Sequence, residues 1–324
     1  MEAFTITAPG DIDAAVAAIE GGNAKFIAGG TDLMQLMKDF VERPKRLVDL
    51  DRLPFDRIEL DDHGARIGAL ARMSDAADHQ ALRRRYPIIA EALLASASPQ
   101  LRNMATIGGN LLQRTRCGYF RDTGFPCNKR LPGSGCPAIP GDNRLLAILG
   151  GSDHCIATNP SDLAVALVAL DAAVELHGPG GTRTVPLNEF YLLPGTTPER
   201  ETVLGPGDLI TAVLIPPPEP GQRSLYLKIR DRASFEFALV SVAVVIAMEQ
   251  DRITKARIAF GGVGTRPWRL PLIEASLTGH PATHDAFAAA AVGAVVGSRP
   301  LSENAFKLPL MQRALVRAFT AVTA

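Results

Sequence analysis

The stretch Phe26-Ile-Ala-Gly-Gly-Thr-Asp-Leu33 predicts a strand that runs into paired glycines and then into the start of a helix. Such a turn lets backbone N–H groups approach a phosphate closely, and the helix N-terminus adds positive potential. The alternative is an ordinary strand–turn–helix connection in which Asp32 caps the helix. The chain has no dinucleotide fingerprint with three spaced glycines, which argues against a Rossmann NAD site.

A second glycine pair lies in Thr106-Ile-Gly-Gly-Asn110, where the sequence predicts a turn led by a hydroxyl side chain. Taken alone, this pair is best explained as a structural turn. Two such turns in one domain, however, resemble a pair of loops that clamp one pyrophosphate from both sides. We call residues 26–33 the first glycine loop and residues 106–110 the second glycine loop.

The residues around the first glycine loop predict a small β-α-β-α-β unit. Apolar spacing and turn residues define its elements. They are a first strand at the N-terminus, a helix at 11–20 with Asp11 as N-cap and Gly21-Gly22 as its stop, a strand at 25–28, a helix at 32–40 and a strand at 46–51.

The rest of the chain predicts a mixture of strands and helices, with a domain boundary at the proline-rich run 216–221. Before the boundary we expect a strand–turn–strand at 58–70, a helix from Ser74, helices at 87–97 and 161–170, and strands at 173–177 and 182–186. After it we expect strands at 224–231, 238–248 and 255–262 and helices at 285–295 and 304–321.

Composition excludes several classes of protein. Apolar residues make up 47% of the 324 residues, which excludes a disordered chain. Lys+Arg and Asp+Glu are both 34, so no broad basic surface for nucleic acid or an anionic membrane is expected. The longest apolar stretches, 237–248 and 286–296, are shorter than the ~20 residues of a membrane span.

All four cysteines fall in one irregular segment, with the spacing Cys117-x9-Cys127-x8-Cys136-x18-Cys155. This pattern fits neither a zinc finger nor a ferredoxin. Two disulfides or buried free thiols are the simpler explanations, but scattered core thiols would not gather in the least apolar segment. Four thiols there indicate a metal that organises the segment, and the spacing leaves iron–sulfur and zinc equally open. We call residues 114–156 the cysteine loop.

Two further motifs have both a structural and a functional interpretation. In Asn159-Pro-Ser161-Asp162 the side chains fit a helix N-cap, or acceptors for the hydroxyls of a bound nucleotide or flavin. In 226–232, strand alternation puts Lys228, Arg230 and Arg232 on one face. That face is either solvated or brings a lysine to the edge of a flavin ring.

In this order and spacing, the two glycine loops, Pro-Ser-Asp and the Lys-x-Arg-x-Arg strand resemble the FAD-binding medium subunit of molybdenum hydroxylases of the xanthine dehydrogenase family. The resemblance covers essentially the whole chain. It implies an α+β fold with a two-part FAD-binding domain (PCMH-type) at 1–218, divided at residue 55, and a smaller α/β domain at 222–324 similar to that of carbon monoxide dehydrogenase flavoproteins.

The cysteine loop is an insertion relative to most members of this family. It is similar to the insertion in the flavin subunits of bacterial periplasmic aldehyde oxidoreductases, where four such cysteines hold a [4Fe-4S] cluster. The hydroxybenzoyl-CoA reductase flavin subunit has a related insertion. The resemblance therefore implies that Cys117, Cys127, Cys136 and Cys155 ligate a cluster.

The resemblance also implies roles for the remaining motifs. The residues expected to hold FAD, chiefly its pyrophosphate, are Phe26, Ile27, Ala28, Gly29, Gly30, Thr31, Asp32, Leu33, Thr106, Gly108, Gly109 and Asn110. Ser161 and Asp162 would bind further along FAD, and Lys228 would approach the isoalloxazine. No residue of this chain is expected to be catalytic, because the substrate would be oxidised at a molybdenum-pterin cofactor in a large partner subunit.

The resulting functional hypothesis is an electron-transfer subunit of an aldehyde-oxidising molybdenum enzyme. Electrons would pass from the large subunit through a small [2Fe-2S] subunit to this FAD and on to an external acceptor. The alternatives are a flavin subunit of a hydroxybenzoyl-CoA reductase-like enzyme, with electrons running inward, and a zinc-stapled assembly scaffold. The N-terminus predicts no signal peptide, so the chain is expected to be cytoplasmic, or periplasmic by co-export with a partner.

Overall fold

The computed structural model describes residues 1–20 and 22–324, and it contains three sheets. The N-terminal unit holds the first sheet. Its elements are β1 (Thr5–Thr7), α1 (Ile12–Ile19), β2 (Ala24–Ile27), α2 (Leu33–Lys38) and β3 (Arg46–Asp49). The strands are parallel in the order β1-β3-β2, which confirms the predicted β-α-β-α-β unit.

The ends of helix α1 are set by local chemistry. Asp11 caps it as predicted, since its carboxylate accepts a hydrogen bond from the amide of Ala14 at 2.8 Å. The helix ends at Ile19, before the predicted stop at Gly21-Gly22. Of that pair, Gly21 lies outside the described residues, while Gly22 has the left-handed φ of +83° that suits a glycine after a helix.

The second part of the chain surrounds a five-stranded antiparallel sheet in the order β4-β5-β8-β6-β7. Its strands are β4 (Ile58–Asp61), β5 (Gly64–Gly68), β6 (Ala173–Gly178), β7 (Gly181–Pro186) and β8 (Leu209–Ile215). Its helices are α3 (Met73–Asp78), α4 (Gln80–Arg85), α5 (Pro87–Ala95), α6 (Pro99–Arg102), α7 (Ile107–Leu111), α8 (Gly118–Arg121), α9 (Asp162–Ala169) and α10 (Leu187–Phe190).

Helices α6, α8 and α10 were not predicted, and two further features differ from the sequence prediction. The predicted turn at 106–110 is instead the start of the short helix α7, because the Thr106 hydroxyl accepts from the amide of Gly109 and so caps a helical turn. The central strand β8 was not predicted. Apart from Thr211 it is apolar throughout and shows no alternation, because both faces of the sheet are covered there.

The C-terminal part is a four-stranded antiparallel sheet in the order β12-β11-β10-β9, covered by helices. Its elements are β9 (Gln222–Ile229), β10 (Val240–Glu249), β11 (Arg252–Gly261), β12 (Trp268–Arg269), α11 (Pro271–Leu277), α12 (His284–Val292), a 3-10 helix (Gly293–Val295) and α13 (Lys307–Thr323). The three predicted long strands and two predicted helices are confirmed, while α11 and β12 were not predicted.

Helix α9 lies between the helices of the second part and the C-terminal sheet. All of its residues, 162–169, are buried, and it packs against α5 on one side and against β10 and β11 on the other. A helix that is apolar on every face can only be stable when it is enclosed in this way. Its N-terminus, at Ser161 and Asp162, is therefore held in a fixed place between the two parts.

The cysteine loop has almost no regular structure apart from α8, and it folds around a small core of its own. Three of the four thiols belong to the buried part of that core, together with Phe120 and with Leu36 from α2. The small core of the cysteine loop is therefore built in part from the cysteines themselves and from the neighbouring helix α2. Separately, none of the described helices is long and apolar enough to cross a membrane.

A buried lysine joins the cysteine loop to the C-terminal sheet. The Nζ of Lys307 donates to the carbonyl oxygens of Leu146 at 2.9 Å and Gly262 at 2.6 Å. The residue is fully buried, and burial lowers the pKa of its ammonium group from 10.5 to about 7.

We therefore predict that the free energy of unfolding of the wild-type protein contains a contribution from Lys307 that rises between pH 7 and 10.5. Below pH 7 Lys307 is protonated in both the folded and the unfolded chain, so the folded chain bears the full free-energy cost of burying the charge. Within this pH window the unfolded chain holds the proton while the folded chain has lost it, so stability increases with pH. The contribution should reach a few kcal/mol, on the order of 1.4 per pKa unit.

Urea unfolding of wild type and Lys307→Met at several pH values within that window tests this prediction. Lys307→Met should lack this part of the rise, whereas Lys255→Met, at an exposed lysine paired with Glu219, should keep it. Equal slopes for wild type and Lys307→Met would contradict the assignment.

Candidate functional site

A cleft of about 660 Å³ lies where the N-terminal unit, the five-stranded sheet and the C-terminal part meet. This volume is within the range of small-molecule sites, roughly 300–1,000 Å³. The first glycine loop enters the cleft from the carboxyl end of β2, the end of parallel strands at which α/β proteins bind ligands. The cleft is therefore the candidate cofactor site.

The first glycine loop lies directly against the backbone that leads into the second. A Cβ added to Gly29 would sit 1.9 Å from the carbonyl oxygen of Met104, so only glycine permits this approach. Gly30 has a left-handed φ of +68°. Across the described residues, the amides of 29–32 have no hydrogen-bond acceptor. The loop thus brings a run of unpaired N–H donors to the cleft.

The second glycine loop contributes shape more than donors. The amides of Ile107 and Gly108 donate to the carbonyls of Ala71 and Ala69, and the amide of Gly109 donates to the Thr106 hydroxyl. A Cβ on Gly108 would lie only 3.0 Å from the Cβ of Ala69. The absence of a side chain at Gly108 therefore lets the second glycine loop pack closely against Ala69. Both loops line the same cleft, but the unpaired donors come from the first.

Asp32 does not cap helix α2, so that part of the structural interpretation is wrong. Its carboxylate instead accepts three hydrogen bonds from the cysteine loop. The donors are the amide of Arg114 at 2.8 Å and the guanidinium groups of Arg116 at 2.5 Å and Arg121 at 2.8 Å. Asp32, two residues after the second glycine, is therefore fixed by the segment that carries Cys117.

Ser161 and Asp162 occupy the N-terminus of α9. The Ser161 hydroxyl caps the helix through the amide of Ala164 and donates to the side-chain oxygen of Asn110 at 2.6 Å, so the structural interpretation of this serine is confirmed. The Asp162 carboxylate accepts from the hydroxyls of Tyr226 at 2.5 Å and Ser96 at 2.9 Å. Both oxygens of Asp162 are already bonded within the protein.

Lys228 completes this buried group. Its Nζ donates to Asp162 at 2.7 Å and to the carbonyl of Ala95 at 3.1 Å, and the side chains of the ion pair are only 4% and 7% exposed. Burial and the Asp162 carboxylate raise the pKa of Tyr226 far above its usual range. At neutral pH the tyrosine is a hydroxyl donor to a carboxylate that also faces an ammonium group.

The loop after β9 adds residues that sequence reasoning did not select. Phe235 and Phe237 line the cleft and remain 54% and 43% exposed. The guanidinium of Arg232 lies 5.9 Å from the ring centroid of Phe235, and that of Arg116 lies 5.1 Å from Phe237. The sequence does contain a signal for these residues, because two phenylalanines lie in a charged connection between strands. In such a loop their presence is not explained by burial in a hydrophobic core.

The four cysteines line one small cavity and form no disulfide. Cys117, Cys127 and Cys155 are buried and Cys136 is half-buried. The cavity measures about 10 Å³, and no three His, Cys, Asp or Glu side chains of the described residues are grouped closely enough to hold a single metal ion. The four thiols therefore line one cavity, but in this structure they are not grouped as the ligands of a single metal ion.

Backbone amides point at several of these sulfurs. Burial raises the pKa of the Cys117 thiol to about 11, and the amides of Phe120 and Tyr119 oppose that rise. Burial also raises the pKa of Cys155, which the amide of Ala157 and the nearby ammonium of Lys129 lower. Amides directed at sulfur favour thiolates and are a feature that tunes iron–sulfur centres.

Of the residues predicted to bind the cofactor, all except Ser161 line the cleft. Ser161 lines a smaller neighbouring cavity of about 120 Å³, which Asp162, Arg116 and Cys117 also line. A third cavity, of about 360 Å³, is lined by Arg114 and Cys155. Arg116 lines both the cleft and the cavity that Cys117 lines, and Arg114 lines both the cleft and the cavity that Cys155 lines. These two arginines therefore lie between the cysteines and the cleft.

Comparison with known proteins identifies two families along the chain. Residues 2–218 match the FAD binding domain in molybdopterin dehydrogenase. Residues 225–322 match the CO dehydrogenase flavoprotein C-terminal domain. These matches confirm the α+β fold and the FAD-binding assignment that the sequence motifs predicted.

Individual relatives agree with the family match. The chain is 50% identical over 321 residues to the aldehyde oxidoreductase FAD-binding subunit PaoB of Escherichia coli, covering 97% of this chain and 96% of that protein. It is 28% identical to the carbon monoxide dehydrogenase medium chain of Hydrogenophaga pseudoflava, over 93% of this chain and 88% of that one.

Solved structures show the same architecture. Reconstituted CO dehydrogenase from Oligotropha carboxidovorans contains a chain that is 26% identical, with a TM-score of 0.79 over 99% of this chain and 98% of that one. The glycine loops, the cleft and these matches along nearly the whole length agree with one another. The chain belongs to the FAD-binding subunits of the molybdopterin dehydrogenases, which are oxidoreductases of the aldehyde oxidoreductase and xanthine dehydrogenase family.

Proposed function

We propose that this chain is the FAD- and [4Fe-4S]-containing electron-transfer subunit of a molybdenum-dependent aldehyde oxidoreductase. The observation that carries the flavin part is the run of unpaired amides at 29–32 in a cleft of cofactor size. The 50% identity to an aldehyde oxidoreductase subunit supports the substrate class. It favours aldehyde oxidation over a hydroxybenzoyl-CoA reductase-like reaction and over a scaffold without FAD.

The amides of 29–32 bind the pyrophosphate of FAD in this proposal. Several N–H groups from consecutive residues form a concave donor set that suits phosphate oxygens. Arg116 also lines the cleft next to them and adds positive charge. The backbone at Met104, which leads into the second glycine loop, supports the first through its contact with Gly29, and the second loop also lines the cleft.

Lys228 and Asp162 form the wall that faces the isoalloxazine. Because they are paired with each other and held by Tyr226 and Ser96, they offer fixed charges without rearrangement. Phe235 and Phe237 provide exposed aromatic surface for a planar ring. When bound, FAD supplies the redox chemistry, and the protein's part is to place the ring and tune its surroundings.

The [4Fe-4S] cluster is assigned to Cys117, Cys127, Cys136 and Cys155. In a zinc site all four sulfurs bind one ion at about 2.3 Å, whereas in a cluster each thiolate binds a different iron. Four thiols that line one cavity supply the ligands that either kind of centre requires. The amides directed at sulfur favour the cluster, because hydrogen bonds to the sulfurs tune iron–sulfur centres.

The electron path is assigned by analogy with the multi-subunit relatives. A large subunit with the molybdenum-pterin cofactor would oxidise the aldehyde, and a small [2Fe-2S] subunit would connect it to this chain. FAD held by the residues of the cleft would supply the redox chemistry that connects the complex to an external acceptor. No residue of this chain takes part in bond breaking at the substrate, so its contribution is binding, placement and charge.

The flavin placement predicts that Gly29→Ala lowers flavin content and weakens FAD binding by at least about tenfold. The added Cβ would lie 1.9 Å from the Met104 carbonyl, so the loop must move and its amides lose their common orientation. Flavin per chain, measured by absorbance, and FAD affinity of the deflavinated protein, measured by fluorescence quenching, test this expectation.

Gly10→Ala is the matched control for that experiment. A Cβ on Gly10 meets nothing within 4 Å, so its flavin content should equal that of wild type. If Gly29→Ala keeps full flavin occupancy and affinity, the pyrophosphate is not held by the first glycine loop.

The metal assignment predicts about four irons and four acid-labile sulfides per chain in anaerobically purified protein. Cys136→Ser should lose most of the iron, because one iron would lose its thiolate ligand. Leu131→Ser is the control, since it places a serine at an exposed position of the same loop. Stoichiometric zinc in wild type would rule the cluster out, and unchanged iron in Cys136→Ser would exclude Cys136 as a required ligand.

A further inference from the structure

Helix α2 is held by the cysteine loop at both of its ends and along its buried face. At its start, Asp32 accepts from the Arg114 amide and from Arg121 at 2.8 Å each. Beyond its end, Glu42 accepts from the Arg114 guanidinium at 2.7 Å. On its buried face, Leu36 packs into the same apolar core as the cysteines. The helix that comes directly after the unpaired amides is thus part of the cysteine loop's own packing.

We infer that metal ligation in the cysteine loop and FAD binding in the cleft are coupled through Asp32. This inference rests on the proposed function, because it assumes that 29–32 binds the pyrophosphate. A cluster that fixes Cys117 also fixes the donors to Asp32 on either side of it. The carboxylate then holds the adjoining amides in their binding arrangement. By linkage, bound FAD must stabilise the metal site to the same extent.

The charges around Asp32 explain why this contact sets the position of the loop. The side chain is 14% exposed and has two guanidinium partners, Arg116 and Arg121, whose side chains are 26% and 15% exposed. A carboxylate in such a place depends on its partners, because removing one leaves a partly buried charge short of hydrogen bonds. The first glycine loop therefore moves when the partners of Asp32 move.

Substitution of Arg121 tests this coupling separately from direct contacts with FAD. The Arg121 side chain donates to Asp32 and to the carbonyls of Thr115 and Arg114, and it does not line the cleft. Any effect of Arg121 on flavin must therefore pass through the loop. Arg116, in contrast, lines the cleft itself and would act on FAD directly. Arg121 is a positioning residue in this sense.

The test compares FAD affinity and iron content in wild type, Arg121→Gln and Arg144→Gln, each as the full chain. Arg144 makes the matched control, because it belongs to the same loop but pairs with Asp231 at an exposed site. Arg121→Gln should weaken FAD binding about tenfold, while Arg144→Gln should stay within about twofold of wild type. Removing iron from wild type with a chelator should weaken FAD binding similarly, and should add little in Arg121→Gln.

A reciprocal variant keeps the proposal testable if Arg121→Gln folds poorly. Asp32→Asn changes no cysteine, yet it should retain less iron during chelator treatment, and adding FAD should protect iron less than in wild type. Unchanged FAD affinity in folded Arg121→Gln, or FAD affinity independent of iron in wild type, would overturn the coupling. If wild type contains no iron at all, the metal assignment fails, and the Arg121→Gln comparison still decides whether the loop sets flavin affinity.

Discussion

The carboxylate of Asp32 is the interaction on which the site depends. It lies just after two glycines that have no side chains with which to anchor themselves, and it is bonded to a backbone amide and two guanidinium groups from another part of the chain. A loop that must leave its own amides unpaired for a ligand cannot be stabilised by pairing them within the protein. The position of the first glycine loop therefore has to be set by Asp32, the residue beside it.

The opposite wall of the cleft also contains groups whose position depends on hydrogen bonds from other parts of the chain. Asp162 and Lys228 are nearly buried, and burying two charges costs more than their attraction returns unless their remaining hydrogen bonds are satisfied. Tyr226, Ser96 and the Ala95 carbonyl satisfy them. Helix α9, which is buried between helix α5 and the C-terminal sheet, carries Asp162 and fixes the whole group. Both walls of the cleft thus depend in part on residues that do not line it, such as Arg121 and Tyr226.

Local spacing in the sequence is enough to predict much of the fold. The β-α-β-α-β unit, the long strands after residue 221 and the approach of the two glycine loops to one cleft depend on turn residues and apolar periodicity. Strand β8 has no periodicity because both of its faces are buried, so it was not predicted. The role of Asp32 could not be predicted either, since a cap and a long-range anchor use the same residue type. Its partners lie more than 80 residues away.

Hydrogen exchange of the full chain with and without FAD is the most direct test of the central claim, that the amides of 29–32 bind the cofactor in a position set by the cysteine loop. The account predicts that FAD slows exchange in peptides covering 29–33 and also in those covering 114–121, while helix α13 is unchanged. Slowing at 29–33 alone would contradict the role of the cysteine loop. Equal exchange at 29–33 with and without FAD would contradict the site itself.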